Sequence, residues 1–324
     1  MIYLKPIGGL CNRLRTIDSL ITICKLNNQD LTVLWVMDES LNCSYYDLFE
    51  SSSLASLNYN VIDCPVGFPE SFLKSYGKKV DGSFVYVSNE LRLIRKLKNF
   101  LKGRNLNNSQ KTVIKNIKHL DSENVMVNEE LSHLYNAEGN NKSARQLDND
   151  FLQIFQNNFS TFLANGKDDY YLSSCYRLYP LENNYSNFIP KSDLLTKINL
   201  KKKGFGNTYG LHIRRSDHVV SKNISTTDRF LNQVQEILNV EEDANFFLST
   251  DDEKTKDELQ NKFGNKILTN PISNYNRNHP DAIKDAVIDL YSLSFTKKIF
   301  GSHQSSFSQT AADIGNIIEV TVGN

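Results

Sequence analysis

The chain has 324 residues, enough for two domains of ~150 residues each. Lys+Arg and Asp+Glu number 37 apiece, so the formal net charge is zero and no global field recommends nucleic acid or an anionic membrane as a partner. Any anion site must therefore be local. Five cysteines (Cys11, Cys24, Cys43, Cys64, Cys175) show no C-x-x-C spacing and are odd in number, which points to reduced thiols and no zinc site. The opening M-I-Y-L-K-P-I-G-G-L has neither the basic stretch nor the apolar core of a signal peptide. No apolar run approaches the roughly 20 residues of a membrane span, and a cytoplasmic protein is expected. The sequons at Asn42, Asn158 and Asn184 are what a chain rich in Asn and Ser produces by chance.

In chain order, Ile2–Lys5 predicts a strand, Gly8-Gly9 a turn and Asn12–Leu26 a helix, with Leu14, Ile17, Leu20, Ile21 and Cys24 at helical spacing. A strand–Gly loop–helix start offers backbone N–H groups to an anion, and Asn12, Arg13 and Arg15 add donors. It is not G-x-G-x-x-G, because Cys11 and Leu14 interrupt the pattern, so a nicotinamide fingerprint is unsupported. A plain turn with solvated arginines is the competing reading. Leu31–Val36, Val61–Asp63 and Ser83–Val87 predict further strands. The basic run from Glu90 to about Lys118 and the acidic one around Asp121–Glu130 read as solvated helix faces.

Asn149–Leu163 places Phe151, Ile154, Phe155, Phe159 and Phe162 at helical spacing, a core pattern. Asp148-Asn149-Asp150 is a D-x-D of the kind that holds a divalent cation in many sugar-nucleotide transferases. Its place just before that pattern predicts helix capping instead. Tyr171–Pro190 reads as a strand followed by an irregular connection. The domain boundary is placed there, giving 1–190 and 191–324. Beyond it, strands at Thr208–Ile213, Asn245–Leu248, Lys266–Thr269, Lys298–Phe300 and Ile317–Thr321 alternate with helices at Thr226–Leu238, Glu253–Phe263, Asp281–Phe295 and Phe307–Ile314. That alternation predicts an α/β class with a parallel, doubly wound sheet.

Chemistry gathers at the carboxyl ends of these strands, where open α/β sheets bind ligands. Thr208–Ile213 runs into Arg214-Arg215, framed by His212 and Asp217. Paired guanidiniums there suggest an anion; surface ion pairs are the alternative. Ser249-Thr250-Asp251-Asp252 ends the next strand as ribose or base acceptors, or as caps. Gly301–Phe307 brings the Ser305 and Ser306 hydroxyls to a helix start, either a phosphate cradle or an ordinary N-cap. Asp285 reads as a surface residue, whereas a buried Asp289 would need a donor such as a guanine edge.

Taken in order, Gly8–Leu14, His212–Asp217, Ser249–Asp252, Asp289–Ser294 and Gly301–Phe307 resemble the GT-B fucosyltransferase superfamily of α1,2-, α1,6- and protein O-fucosyltransferases, including the nodulation fucosyltransferases. The resemblance covers the opening loop and most of the second half. It implies two facing Rossmann-like domains with mainly parallel sheets, an acceptor held largely by residues 1–190 and a GDP-sugar donor by 191–324. It implies inverting, metal-independent transfer of L-fucose from GDP-β-L-fucose to a glycan, with no further cofactor. On this resemblance Arg214 binds the donor diphosphate with Arg215 as partner, and Gly9, Asn12 and Arg13 lie near the pyrophosphate. His212 and Asp289 contact the guanine nucleotide, while Thr250, Asp251, Asp252, Ser305, Ser306 and Phe307 line the donor pocket. Cys11 departs from the glycine of many members. Asp217 and His218 are the general-base candidates, by proximity in sequence alone. A different GDP-sugar, or a GDP- or glycan-binding module without catalysis, are the alternatives.

Overall fold

The computed structural model describes residues 2–51, 59–65, 77–80, 83–86, 117–121, 142–150, 152–153, 169–215, 219–272, 274–276 and 278–323. Most of the Glu90–Lys118 and Asp121–Glu130 charge runs and of the Asn149–Leu163 pattern lies outside them.

The first sheet has seven strands, β1 (Ile2–Pro6), β2 (Leu31–Met37), β3 (Tyr59–Pro65), β4 (Gly77–Val80), β5 (Ser83–Tyr86), β6 (Ile117–Asp121) and β7 (Asp169–Ser174), in the order β3-β2-β1-β7-β6-β5-β4. From β3 to β6 all pairings are parallel, and β5 and β4 close the edge antiparallel. The apolar run of β2 is buried along almost its whole length, as a strand covered on both faces requires. Helix α1 (Leu10–Asn27) starts two residues before the helix expected from the sequence. It is buried nearly all round, with Arg13, Asp18, Ser19 and Thr22 inside as well as the apolar stripe. Asn28, in the left-handed region at φ 50°, ends it.

The second sheet, β8 (Thr208–Ile213), β9 (Asn245–Thr250), β10 (Ile267–Thr269), β11 (Ile299–Gly301) and β12 (Glu319–Thr321), is wholly parallel in the order β10-β9-β8-β11-β12. Its helices are α3 (Val219–Ile224), α4 (Thr227–Val240), α5 (Glu253–Phe263), α6 (Pro280–Leu293) and α7 (Ser306–Gly315); α2 (Ser192–Gly204), which precedes the sheet, packs on α6. Local chemistry fixes the helix starts. Thr226 caps α4, Asp252 caps α5, and His279 with Pro280 opens α6. One hydrophobic cluster runs from Ile2, Leu14 and Trp35 of the first sheet's layer to Val287, Ile299 and Ala311 of the second. The two sheets thus share a core, and a second cluster around Phe230 and Leu259 lies within the second sheet's own layers.

Asp148 and Asp150 do not cap a helix. Residues 144–150 are already helical, and Ser143 is the cap, in a capping box where Ser143 Oγ accepts from the Gln146 N–H and Gln146 Oε1 from the Ser143 N–H. Asp148 is instead buried in an ion pair with Arg15, and Asp150 pairs with Lys142. In both sheets the order reverses beside a central strand, between β1 and β7 and between β8 and β11. Crevices open at such points.

Candidate functional site

β8 delivers Arg214 to the crevice of the second sheet. Its apolar run TYGLHI is buried throughout, hydrogen-bonded between β9 and β11, and the chain leaves the sheet at Arg214. The exit is pinned from both sides: the Arg214 N–H donates to Ser302 Oγ (2.9 Å) and the Arg215 N–H to Asp251 Oδ1 (2.6 Å). The two arginines then diverge. Arg214 lines the cleft. Arg215 does not; its guanidinium donates to Thr227 Oγ1, to the Arg214 carbonyl and to the Ser225 carbonyl, tying down the connection from Arg214 to α4. Asp217 and His218 lie outside the described residues.

The β11–α7 connection forms the adjacent wall. Gly301 packs so closely under α7 that a Cβ there would meet Ser308 Oγ at 2.4 Å. Gln304 adopts φ 55°, turning the chain into α7, whose cap Ser305 accepts from the Phe307 N–H. Ser305 Oγ also sits 3.1 Å from His212 Nδ1, and the His212 ring stacks on Phe307 with centroids 4.7 Å apart. Ser305, Ser306 and Phe307 therefore present a helix amino terminus, with its N–H groups and positive dipole end, to the cleft beside Arg214.

A further wall is the first turn of α1. Gly8 at φ 81° makes the turn, and a Cβ on it would lie 2.9 Å from Asn12 Nδ2. Gly9, Leu10, Cys11 and Asn12 line the cleft. Arg13 does not reach it. Its guanidinium is fully buried, donates to the Gly8 and Val36 carbonyls and to Asp38, and lies 5.0 Å from the Trp35 ring. Arg15 likewise turns inward, to Asp148 and the Cys175 carbonyl. Burial pushes the Cys11 thiol up to about 12, with Thr310, Arg15 and Arg214 pulling weakly the other way.

Ser249, Thr250 and Asp251, from the end of β9, line the cleft; Thr250 Oγ1 donates to the Ile213 carbonyl, and Asp252 is occupied capping α5 through Thr255. Asp289 of α6 lines it too. It is buried, and its Oδ1 has no hydrogen-bond partner among the described residues. Burial raises this carboxyl to about 7; Ser249 opposes the shift and Asp285 adds to it. Asp285 also lines the cleft rather than an outer face. Ser40, Ile272, Asn274 and Tyr275 join the lining without having been singled out in the sequence. The last three follow β10, whose carboxyl end the strand-end rule would have marked.

These residues line an open cleft between the two sheets. One end is cationic and rich in N–H groups, from Arg214, the start of α7 and the Gly9 loop. The other is apolar and acidic, from Ile272, Tyr275, Ile283, Ala286, Asp285 and Asp289. Such a gradient suits a ligand with an anionic group at one end and a flat, donor-bearing group at the other. Among the described residues no three His, Cys, Asp or Glu side chains converge to hold a metal ion, and no helix is long and apolar enough to cross a membrane.

Two Rossmann-like, largely parallel sheets facing one another across a cleft at their switch points define a GT-B architecture. Solved structures sharing it with this chain include fucosyltransferases. NodZ α-1,6-fucosyltransferase soaked with GDP-fucose superposes with a TM-score of 0.52 at 12% identity, over 97% of this chain and 92% of that one. POFUT1 in complex with GDP gives 0.52 at 10% identity over 100% and 98%. A variant of Arabidopsis thaliana FUT1 in complex with GDP gives 0.53 at 12% over 98% and 69%. The chain thus shares its fold with these fucosyltransferases. No protein-family model and no curated protein matches the sequence.

Proposed function

We propose that the protein is an inverting, metal-independent glycosyltransferase that moves L-fucose from GDP-β-L-fucose to a glycan acceptor, for instance a surface polysaccharide, in the cytoplasm. The observation that carries this reading is the convergence of five sequence-distant motifs, from Gly9 to Phe307, on one cleft. The fucosyltransferases of like fold with GDP or GDP-fucose bound support the choice of donor. Residues 191–324 hold the donor and residues 1–190 largely the acceptor.

The chemistry follows from where charge develops. Cleaving the anomeric C–O bond leaves positive charge on the sugar and drives negative charge onto the departing diphosphate, so catalysis needs fixed donors at the diphosphate. Arg214 supplies a guanidinium able to bind two phosphate oxygens at once, and the start of α7 and the Gly9 loop supply amides. Arg215 acts on the same charge through Arg214, whose carbonyl it holds. The Asp289 carboxylate accepts from the two adjacent N–H donors of guanine, an edge that neither uracil nor adenine presents.

Thermal shift with GDP, UDP and ADP, with and without EDTA, tests the donor. Stabilisation by GDP that EDTA leaves unchanged is expected; a shift with UDP and none with GDP rejects the reading. Release or transfer of fucose from GDP-fucose separates an enzyme from a binding module.

A further inference from the structure

We propose that residues 142–150 form a strut that positions the donor cleft, with Asp148 as its central positioning residue. The inference rests on reading the cleft as a donor site. In sequence the segment lies between β6 and β7 of the first sheet, yet it runs along α7 of the second. Three residues of the segment bond to α7 or to the residue before its cap. The Lys142 carbonyl accepts from Gln304 Nε2 (3.2 Å), Asp148 Oδ2 accepts from Gln309 Nε2 (3.1 Å), and Arg145 Nη2 donates to Asp313 Oδ1 (2.6 Å). Arg145 and Asp148 lie three apart on one face of the helical turns that Ser143 caps, and Lys142 immediately precedes that cap. Their partners run from the residue before the cap of α7 to its last turn.

Asp148 does one thing more. Its other oxygen accepts from Arg15 Nη1 at 2.8 Å, and Arg15 belongs to α1. A single buried carboxylate therefore joins the two helices whose first turns both line the cleft. Arg15 is also fixed on its far side by the Cys175 carbonyl just after β7. Gln304 carries a left-handed backbone, a conformation that persists only where neighbours over-determine it. Its bond to the Lys142 carbonyl is such a constraint. Without Asp148, buried Arg15 has no carboxylate and Gln309 loses its acceptor, so the walls lose their common anchor. Small displacements of binding groups weaken donor binding and transfer strongly.

Backbone hydrogen exchange on the ligand-free, full-length protein tests the strut directly. In Asp148→Ala the amides of Phe307–Gln309 are expected to exchange about tenfold faster than in the native protein, while those of Phe246–Leu248 in β9 are unchanged. Asp148→Asn, which keeps an acceptor but removes the charge, should fall between. Unchanged exchange at α7, or a uniform rise across both sheets, overturns the proposal. If Asp148→Ala does not fold, Gln309→Ala removes only the α7 contact and carries the same comparison. GDP titration well below the melting temperature gives the second readout, with about tenfold weaker binding expected in Asp148→Ala. Native affinity in a folded variant also overturns the strut. Failure of the native protein to bind GDP counts against the donor reading alone, because the exchange result decides the strut without a ligand.

Discussion

The two strand–loop–helix crossovers that face each other across the cleft are built alike and use their arginines oppositely. Each follows a central strand at a switch point; the first delivers the start of α1 to the cleft, the second delivers Arg214, beside the start of α7 that follows β11. In the first, Arg13 and Arg15 point into the protein and hold the loop to β2 and to residue 148, so the wall offers backbone, Cys11 and Asn12. In the second, Arg214 points into the cleft and Arg215 steadies it from behind. A guanidinium near an anion site is thus either a ligand or a fastening, and its hydrogen-bond partners decide which. Each nitrogen of Arg13 is engaged by protein and the side chain is fully buried away from the cleft, so it is a fastening.

Substitutions can break that contrast. The largest effect is expected from Arg13→Ala, which empties a fully buried site and leaves the Gly8 and Val36 carbonyls without its guanidinium, while Asp38 keeps the Ser40 and Leu41 N–H donors; it should cost about 2–4 kcal/mol of stability, read by denaturant unfolding. Arg214→Lys keeps the charge but loses the fork; transfer from GDP-fucose should fall by roughly 10²–10³-fold with an unchanged melting temperature. Near-native turnover in Arg214→Lys removes its assigned role. The glycines give a sharper pair. Gly8→Ala puts a Cβ at φ 81° against Asn12 and should destabilise by about 1–2 kcal/mol. Gly9→Ala meets no protein atom within 4 Å and, at the N-cap of α1, should cost about 0.5–1 kcal/mol while weakening GDP binding.

The smallest effect concerns pH. Asp289 is raised to about 7, above the ~3.9 of an unfolded aspartate, so the folded protein holds its proton more tightly than the unfolded chain. Its contribution to stability is full below the unfolded value and is lost as pH rises through 7. A guanine edge reverses the preference in the complex by favouring the carboxylate. GDP should therefore bind about fivefold more tightly at pH 8 than at pH 6. Asp289→Asn should flatten the profile in calorimetric titrations; an unaltered slope assigns the dependence to another group.

The second half of the fold was legible because strands and helices alternate there with clear local punctuation. Asp252 and Ser305 serve as caps, and α5 runs over Glu253–Phe263 as its spacing predicts. Helix α2 was missed. Only Leu194 and Ile198 of it are buried, and Lys201–Lys203 mask the stripe. Which motifs would meet in one cleft could be anticipated from strand ends. The direction of the arginines could not, because Arg13 and Arg15 are turned inward by partners 25 and 133 residues away. Nor does spacing tell a capping aspartate from a buried bridge, since Asp148 acts through Arg15 and Gln309, both remote in sequence. The solved structures of like fold share only 10–12% of residues with this chain, so the likeness is one of backbone architecture. Fold-determining contacts outnumber the few positions tied to the ligand.

The central place of β1 has a consequence for how the molecule comes into being. Strand β1 needs Asp169–Ser174 to complete its pairing, and the turn that follows it meets the rest of the cleft lining only at Ser305–Phe307. Until those residues are made, β1 keeps one flank uncovered. Long-range closure of this kind slows folding, since it must precede its reward, and it leaves the chain exposed to chaperones and proteases until α7 is in place.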